Sequence, residues 1–92
     1  MKDINKLFNY ITPAQKIATK TIVETLAPNV NNLINVCEIA ERALCHHLEV
    51  RKTLKILQLV EILEYEGLGS RGTAVKIVDV DTFNRLKIYF GL

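Results

Sequence analysis

Apolar residues at Ile4, Leu7, Phe8 and Ile11 recur at i, i+3, i+4 and i+7, the spacing of one stripe on an α-helix, and predict a leading helix within residues 1–11. Thr12-Pro13-Ala14-Gln15 follows, with a capping hydroxyl, Pro at the first helical position and Gln three residues after the cap. A second helix therefore starts at Pro13. Over residues 13–27 it directs Ile17, Ala18, Ile22, Val23 and Leu26 toward a core and stops before Pro28, which cannot continue it. The Asn-rich residues 29–35 read as a polar connection.

Residues 36–60 read as two helices joined tightly. The first, 36–44, gathers Val36, Ile39, Ala40, Ala43 and Leu44 on one side, and Cys45-His46-His47 interrupts it. The second, 48–60, places Val50, Leu54, Leu57 and Val60 on one stripe while Arg51, Lys52 and Lys55 project elsewhere. The β-rich runs 62–66 and 73–78 flank Gly67, Gly69 and Gly72, which allow the positive φ of a tight hairpin, so residues 62–78 form a hairpin with a basic tip. Asp81 is placed to cap a final helix over 82–90 with Phe83, Leu86 and Phe90 on its apolar face. The fold class is mainly α with a small β-hairpin (α+β), in the order of a winged helix-turn-helix.

At 92 residues the chain is one domain by size, and 49% hydrophobic with 24% charged residues is the composition of a globular one. No apolar run approaches the ~20 residues of a membrane span, and the start has no signal-peptide core. The expectation is a soluble, cytoplasmic protein without a membrane partner. Cys37 and Cys45 sit eight residues apart, roughly 12 Å along a helix, too far for a disulfide. Free thiols suit a reducing compartment, and both cysteines read as small core hydrophobes. Cys45-His46-His47 has metal-ligating residue types, but adjacent histidines converge poorly on one ion and no second ligand pair exists, so no metal and no cofactor are expected. No nucleophile, base and orienting group can be assembled and no phosphate loop is present, which argues against an enzyme.

The formal charge of +2 does not by itself announce a nucleic-acid partner; its distribution says more. Residues 45–57 hold Arg51, Lys52 and Lys55 against Glu49 alone, and residues 67–76 hold Arg71 and Lys76 with no acid, whereas acids gather at Glu38, Glu41, Glu61, Glu64 and Glu66. A helix in the major groove needs cations for phosphates and a forked donor such as Arg51 for guanine edges. Ser70 and Arg71 at the hairpin tip, with Thr73 and Lys76 behind them, fit a wing along the backbone or a minor groove. His46 and His47 are placed to cap the basic helix or touch phosphate. The candidate DNA-binding residues are therefore His46, His47, Glu49, Arg51, Lys52, Lys55, Ser70, Arg71, Thr73 and Lys76.

Leu68-Gly69-Ser70-Arg71-Gly72-Thr73 followed by Val75-Lys76-Ile77 resembles the wing L-G-x-K-G-T and I-K-V strand of the DNA-binding domain of CodY-type repressors. Ile39-Ala40-Glu41-Arg42 is similar to that family's I-A-D-R, and Ile22-Val23-Glu24-Thr25-Leu26 to the end of its preceding helix. The resemblance covers roughly residues 11–90 and implies a winged helix-turn-helix that binds double-stranded DNA as a transcriptional repressor. Leu44 stands where the family's turn has Gly, and so does Glu61 between recognition helix and hairpin, which predicts a junction built differently there. The family's effector-sensing domain has no counterpart in this chain, so no small-molecule effector is expected.

The alternative is a winged helix serving as a protein-interaction or assembly module without DNA, because fold does not fix function. In either case Ile4, Leu7, Phe8 and Ile11, with Phe83, Leu86, Tyr89, Phe90 and Leu92, are more apolar surface than a small domain leaves open, and predict a homodimer.

Overall fold

A computed structural model of the chain describes residues 3–28 and 31–92. Five helices and three strands follow in the order α1 (Ile4–Asn9), α2 (Pro13–Leu26), β1 (Asn31–Ile34), α3 (Val36–Ala43), α4 (His47–Leu59), β2 (Leu63–Gly67), β3 (Thr73–Ile77) and α5 (Val80–Tyr89). The molecule is thus a small α+β fold, and no helix among the described residues is long and apolar enough to cross a membrane. The leading helix expected within 1–11 and the connection expected at 29–35 include residues 1–2 and 29–30, which lie outside the described ones.

Local chemistry sets the helix starts. The Asp3 carboxylate accepts the Asn5 N–H at 2.9 Å at the head of α1. Thr12 and Gln15 exchange the two hydrogen bonds of a capping box at the head of α2, at 3.1 and 3.0 Å. Asn35 Oδ1 accepts from Glu38 N–H ahead of α3. For α5 the cap is Asp79, whose carboxylate takes both the N–H and the hydroxyl of Thr82. That corrects the expectation of Asp81, which instead lies exposed in the first turn.

The Asn-rich stretch is also corrected: residues 31–34 are a strand, pairing antiparallel with β3 in the register Asn32↔Val75 and Ile34↔Thr73. With β2 on the other side of β3 (Tyr65↔Val75) the sheet has the order β1-β3-β2. Asparagine is a poor strand former, and this strand's partner lies some forty positions away, so tertiary pairing overrides local preference.

Ile22, Leu26, Ile39, Val50, Leu54, Leu57, Ile62, Leu63, Phe83 and Leu86 join helices and sheet in one buried cluster. α2 does not follow the expected stripe throughout, since Ile17 is half exposed while Gln15, Thr19 and Thr21 are buried. The threonines tolerate burial because Thr19 Oγ1 donates to Gln15 C=O at 2.8 Å and Thr21 Oγ1 to Ile17 C=O at 3.1 Å. α1 is held against α5: the Phe8 ring lies 4.7 Å from Tyr89 and 5.8 Å from Phe90, with Lys16 Nζ 4.8 Å above Phe8 and 2.7 Å from the Tyr89 hydroxyl. Leu7, Phe83 and Leu86 are therefore buried within one chain and Ile4, Phe8, Ile11 and Phe90 pack on the same core. Most of the surface expected to serve a dimer is consumed by folding.

Two helices end in left-handed turns without glycine. At α3 the N–H of Leu44 (φ 54°) donates to Glu41 C=O and that of Cys45 to Ala40 C=O; at α4 Glu61 (φ 62°) donates to Gln58 C=O and Ile62 to Leu57 C=O. Both are the paired closing bonds of a Schellman turn, which normally recruits glycine. Gly91 (φ 73°) closes α5 the same way, through Ile88 and Lys87. At Glu61 a glutamate thus holds the left-handed backbone that glycine adopts more readily. Leu44, expected on the apolar side of its helix, is instead 93% exposed, because the left-handed turn swings it outward.

Candidate nucleic-acid interface

α4 carries the basic residues. Its buried stripe is Val50, Thr53, Leu54 and Leu57, which fixes the opposite side outward, and Arg51, Lys52 and Lys55 are all exposed there. Lys52 reaches Glu49 at 3.7 Å, a weak exposed pair; among the described residues Arg51, Lys55 and Arg71 form no ion pair. Leu48 is exposed one turn before Arg51 and Lys52, so the same face offers an apolar side chain that charge-based reasoning passed over.

His46 caps α4: its Nδ1 accepts the Leu48 N–H at 3.2 Å, which leaves Nε2 as the ring's donor. His47 is exposed beside it, ring centres 4.3 Å apart. Glu49, a candidate DNA-binding residue, makes contacts within the chain. Its carboxylate accepts Gln15 Nε2 at 3.2 Å as well as facing Lys52, tying the start of α2 to α4.

The hairpin tip is a 3-10 turn, Gly69–Arg71, closed by Leu68 N–H to Gly72 C=O at 2.8 Å. Ser70 and Arg71 are exposed on it. The chain turns at Glu61, and β2, which leads to the tip, packs against α4. Two expected wing residues do not join them. Thr73 is buried on the inner side of β3, and Lys76 stands on the outer side of the sheet with Glu64 directly across. Strand alternation, with Val75 and Ile77 inward, forces both placements.

Cys37 is exposed and Cys45 half buried, so only the second matches the expectation of a core hydrophobe. Burial pushes the Cys45 thiol above its ordinary range, and the Glu49 carboxylate acts the same way. Among the described residues no three His, Cys, Asp or Glu side chains converge as a metal site. No protein-family model and no curated protein matches the chain.

Proposed function

We propose that the chain is a winged helix-turn-helix domain that binds double-stranded DNA as a transcriptional regulator of repressor type. α4 enters the major groove, and the tip bearing Ser70 and Arg71 lies on the backbone or in the adjacent minor groove. The observation that carries this reading is the exposed set Arg51, Lys52 and Lys55 on a helix of 13 residues, followed by a hairpin with Arg71 exposed at its tip. A helix of that length spans about 20 Å and fits a groove about 12 Å wide. Arg51 then reads a base edge, Lys52 and Lys55 meet phosphates, and Leu48 meets a thymine methyl.

The order α2-β1-α3-α4-β2-β3 supports the winged-helix reading. So does the backbone. Leu44 and Glu61 stand where CodY-type domains carry glycine and this chain does not, and among the described residues these are the non-glycine residues with positive φ. A turn that keeps the glycine conformation after losing the glycine is what a shared backbone predicts.

The DNA-bound form is a homodimer in this reading, and Tyr10, Ile88, Tyr89 and Leu92 are among the exposed apolar side chains that α1, α5 and their ends leave for two-fold pairing. The test is duplex binding across a salt series. If two protomers neutralise about 8 phosphates, log K falls against log salt with a slope near −7, and Arg71→Ala lowers that slope by about 1 per protomer. A flat salt response, or no binding at low salt, removes the DNA reading. The interaction-module alternative draws on a separate surface, the outer side of the sheet.

A further inference from the structure

The sheet has one buried side and one open side. Ile34, Leu63, Val75 and Ile77 enter the core, whereas Leu33, Ala74, Lys76, Glu64 and Glu66 point away from it. In register Leu33, Ala74 and Glu66 form one row across the three strands, and Glu64 lies opposite Lys76. Past the end of β3, Val78 and Val80 are half exposed. These apolar groups border an open groove of about 1580 Å³. Glu61, Glu64, Glu66 and Asp81 line it too, four carboxylates against Lys76, beside Asp79, whose carboxylate is held by Thr82. The chain as a whole carries +2, so charge is segregated between the outer sheet and the rest of the molecule.

We propose that this outer face docks a cationic amphipathic helix of a partner protein. The charge selects the partner's chemistry: Leu, Ile or Val on one stripe to cover Leu33, Ala74, Val78 and Val80, with Lys or Arg flanking it to meet the carboxylates. The same charge turns away nucleic acid. Strand addition, the usual way of covering a sheet, is obstructed, because the Leu33 N–H on one edge strand donates to Asn32 Oδ1 at 2.8 Å and the Tyr65 N–H on the other to Gln58 Oε1 at 3.1 Å. A helix needs no edge. A helix of three to four turns is about 20 Å long, close to the ~17 Å of the five-residue strands it covers. Of α4 the face includes Gln58 near the carboxyl end but not Leu48, Arg51, Lys52 or Lys55, so the docked helix and DNA occupy the protein together, and the docking claim stands whether or not α4 binds DNA.

The probe is a fluorescein-labelled synthetic helix of about 14 residues built of Lys and Leu, with Leu at i, i+3, i+4 and i+7, measured by anisotropy against a scrambled isomer of the same composition. The patterned peptide binds at least about fivefold tighter than its isomer. Glu64→Gln with Glu66→Gln weakens it about fivefold, as does Leu33→Ser, whereas Lys52→Ala leaves it unchanged. Amide shifts on peptide addition move in residues 64–66 and 74–80 and stay fixed in 47–55, the part of α4 that bears the basic residues. Thermal melts of each variant keep a folding defect from passing as lost binding. Equal affinity for the two isomers, indifference to Leu33→Ser, or shifts centred on α4 overturns the proposal. So does a dimer of the chain alone that Leu33→Ser dissociates, since the groove is then filled by a second copy.

Discussion

Replacing Leu44 by glycine should stabilise the protein, although it deletes a large apolar side chain. An L-residue held left-handed costs about 1–2 kcal/mol relative to the right-handed region. Glycine escapes that cost but loses about 0.5–1 kcal/mol more backbone entropy on folding. The side chain itself contributes almost nothing, because Leu44 is 93% exposed. The balance for Leu44→Gly is therefore a gain of about 0.5–1 kcal/mol, or roughly 2–8 °C in Tm at ~4–8 °C per kcal/mol for a domain of this size. Glu61 is exposed in the same conformation at the far end of α4, so Glu61→Gly should gain a similar amount, and the two should add because about 20 Å separates them. Urea and thermal unfolding of the single and double variants measure this, with Leu44→Ala as the control that keeps the Cβ and gains nothing. Equal stabilisation by Leu44→Ala would mean the gain comes from removing an exposed leucine. Loss of stability in Leu44→Gly would mean the turn is not left-handed at all.

Arg51→Ala should weaken duplex binding by about 1–3 kcal/mol and relax sequence preference, whereas Lys55→Ala should weaken all sequences alike; competition assays with specific and random duplexes separate the two. Phe83→Ala should cost about 3–5 kcal/mol in denaturant unfolding, since Phe83 is among the largest fully buried side chains. Cys37 should be alkylated faster than Cys45 in native protein, as followed by mass spectrometry of peptides, because Cys37 is exposed and the Cys45 thiol is held protonated by burial and Glu49. The thiol pKa of Cys45 is raised by folding, so its contribution to stability is present below the unfolded thiol value and lost as pH rises through the folded one; Cys45→Ala should flatten that alkaline loss in a pH series of melts.

Helix positions were legible wherever a cap and a period coincided. Thr12-Pro13-Ala14-Gln15 located α2 to the residue, and the glycines around residues 67–72 located the hairpin. β1 was not legible: four residues, two of them asparagine, have no period to read, and what makes them a strand is β3 from far along the chain. Asp79 and Asp81 stand three residues and one residue before Thr82, and only the backbone decides which carboxylate faces the free N–H at the head of α5. For the candidate site, the basic set on α4 followed from periodicity. Glu49, Thr73 and Lys76 did not, because assigning them required knowing what lies across from each: Gln15, the core, and Glu64. The left-handed turns left no trace in the residue types at Leu44 and Glu61.

The two shoulders of the hairpin tip differ in one respect. A Cβ at Gly69 would meet nothing within 4 Å, while one at Gly72 would sit 2.8 Å from the Ile34 carbonyl oxygen, at a φ of 100°. Any side chain there would push β1 away from β3 at the step where the chain enters α3. Variation in this loop is therefore channelled: Ser70 and Arg71 are free to be exchanged, and residues can be inserted before Gly72, while Gly72 itself is held by a neighbour that no change inside the loop can relocate. A lineage or a designer seeking new affinities has the tip as an adjustable module, anchored at one position, Gly72, that admits no side chain.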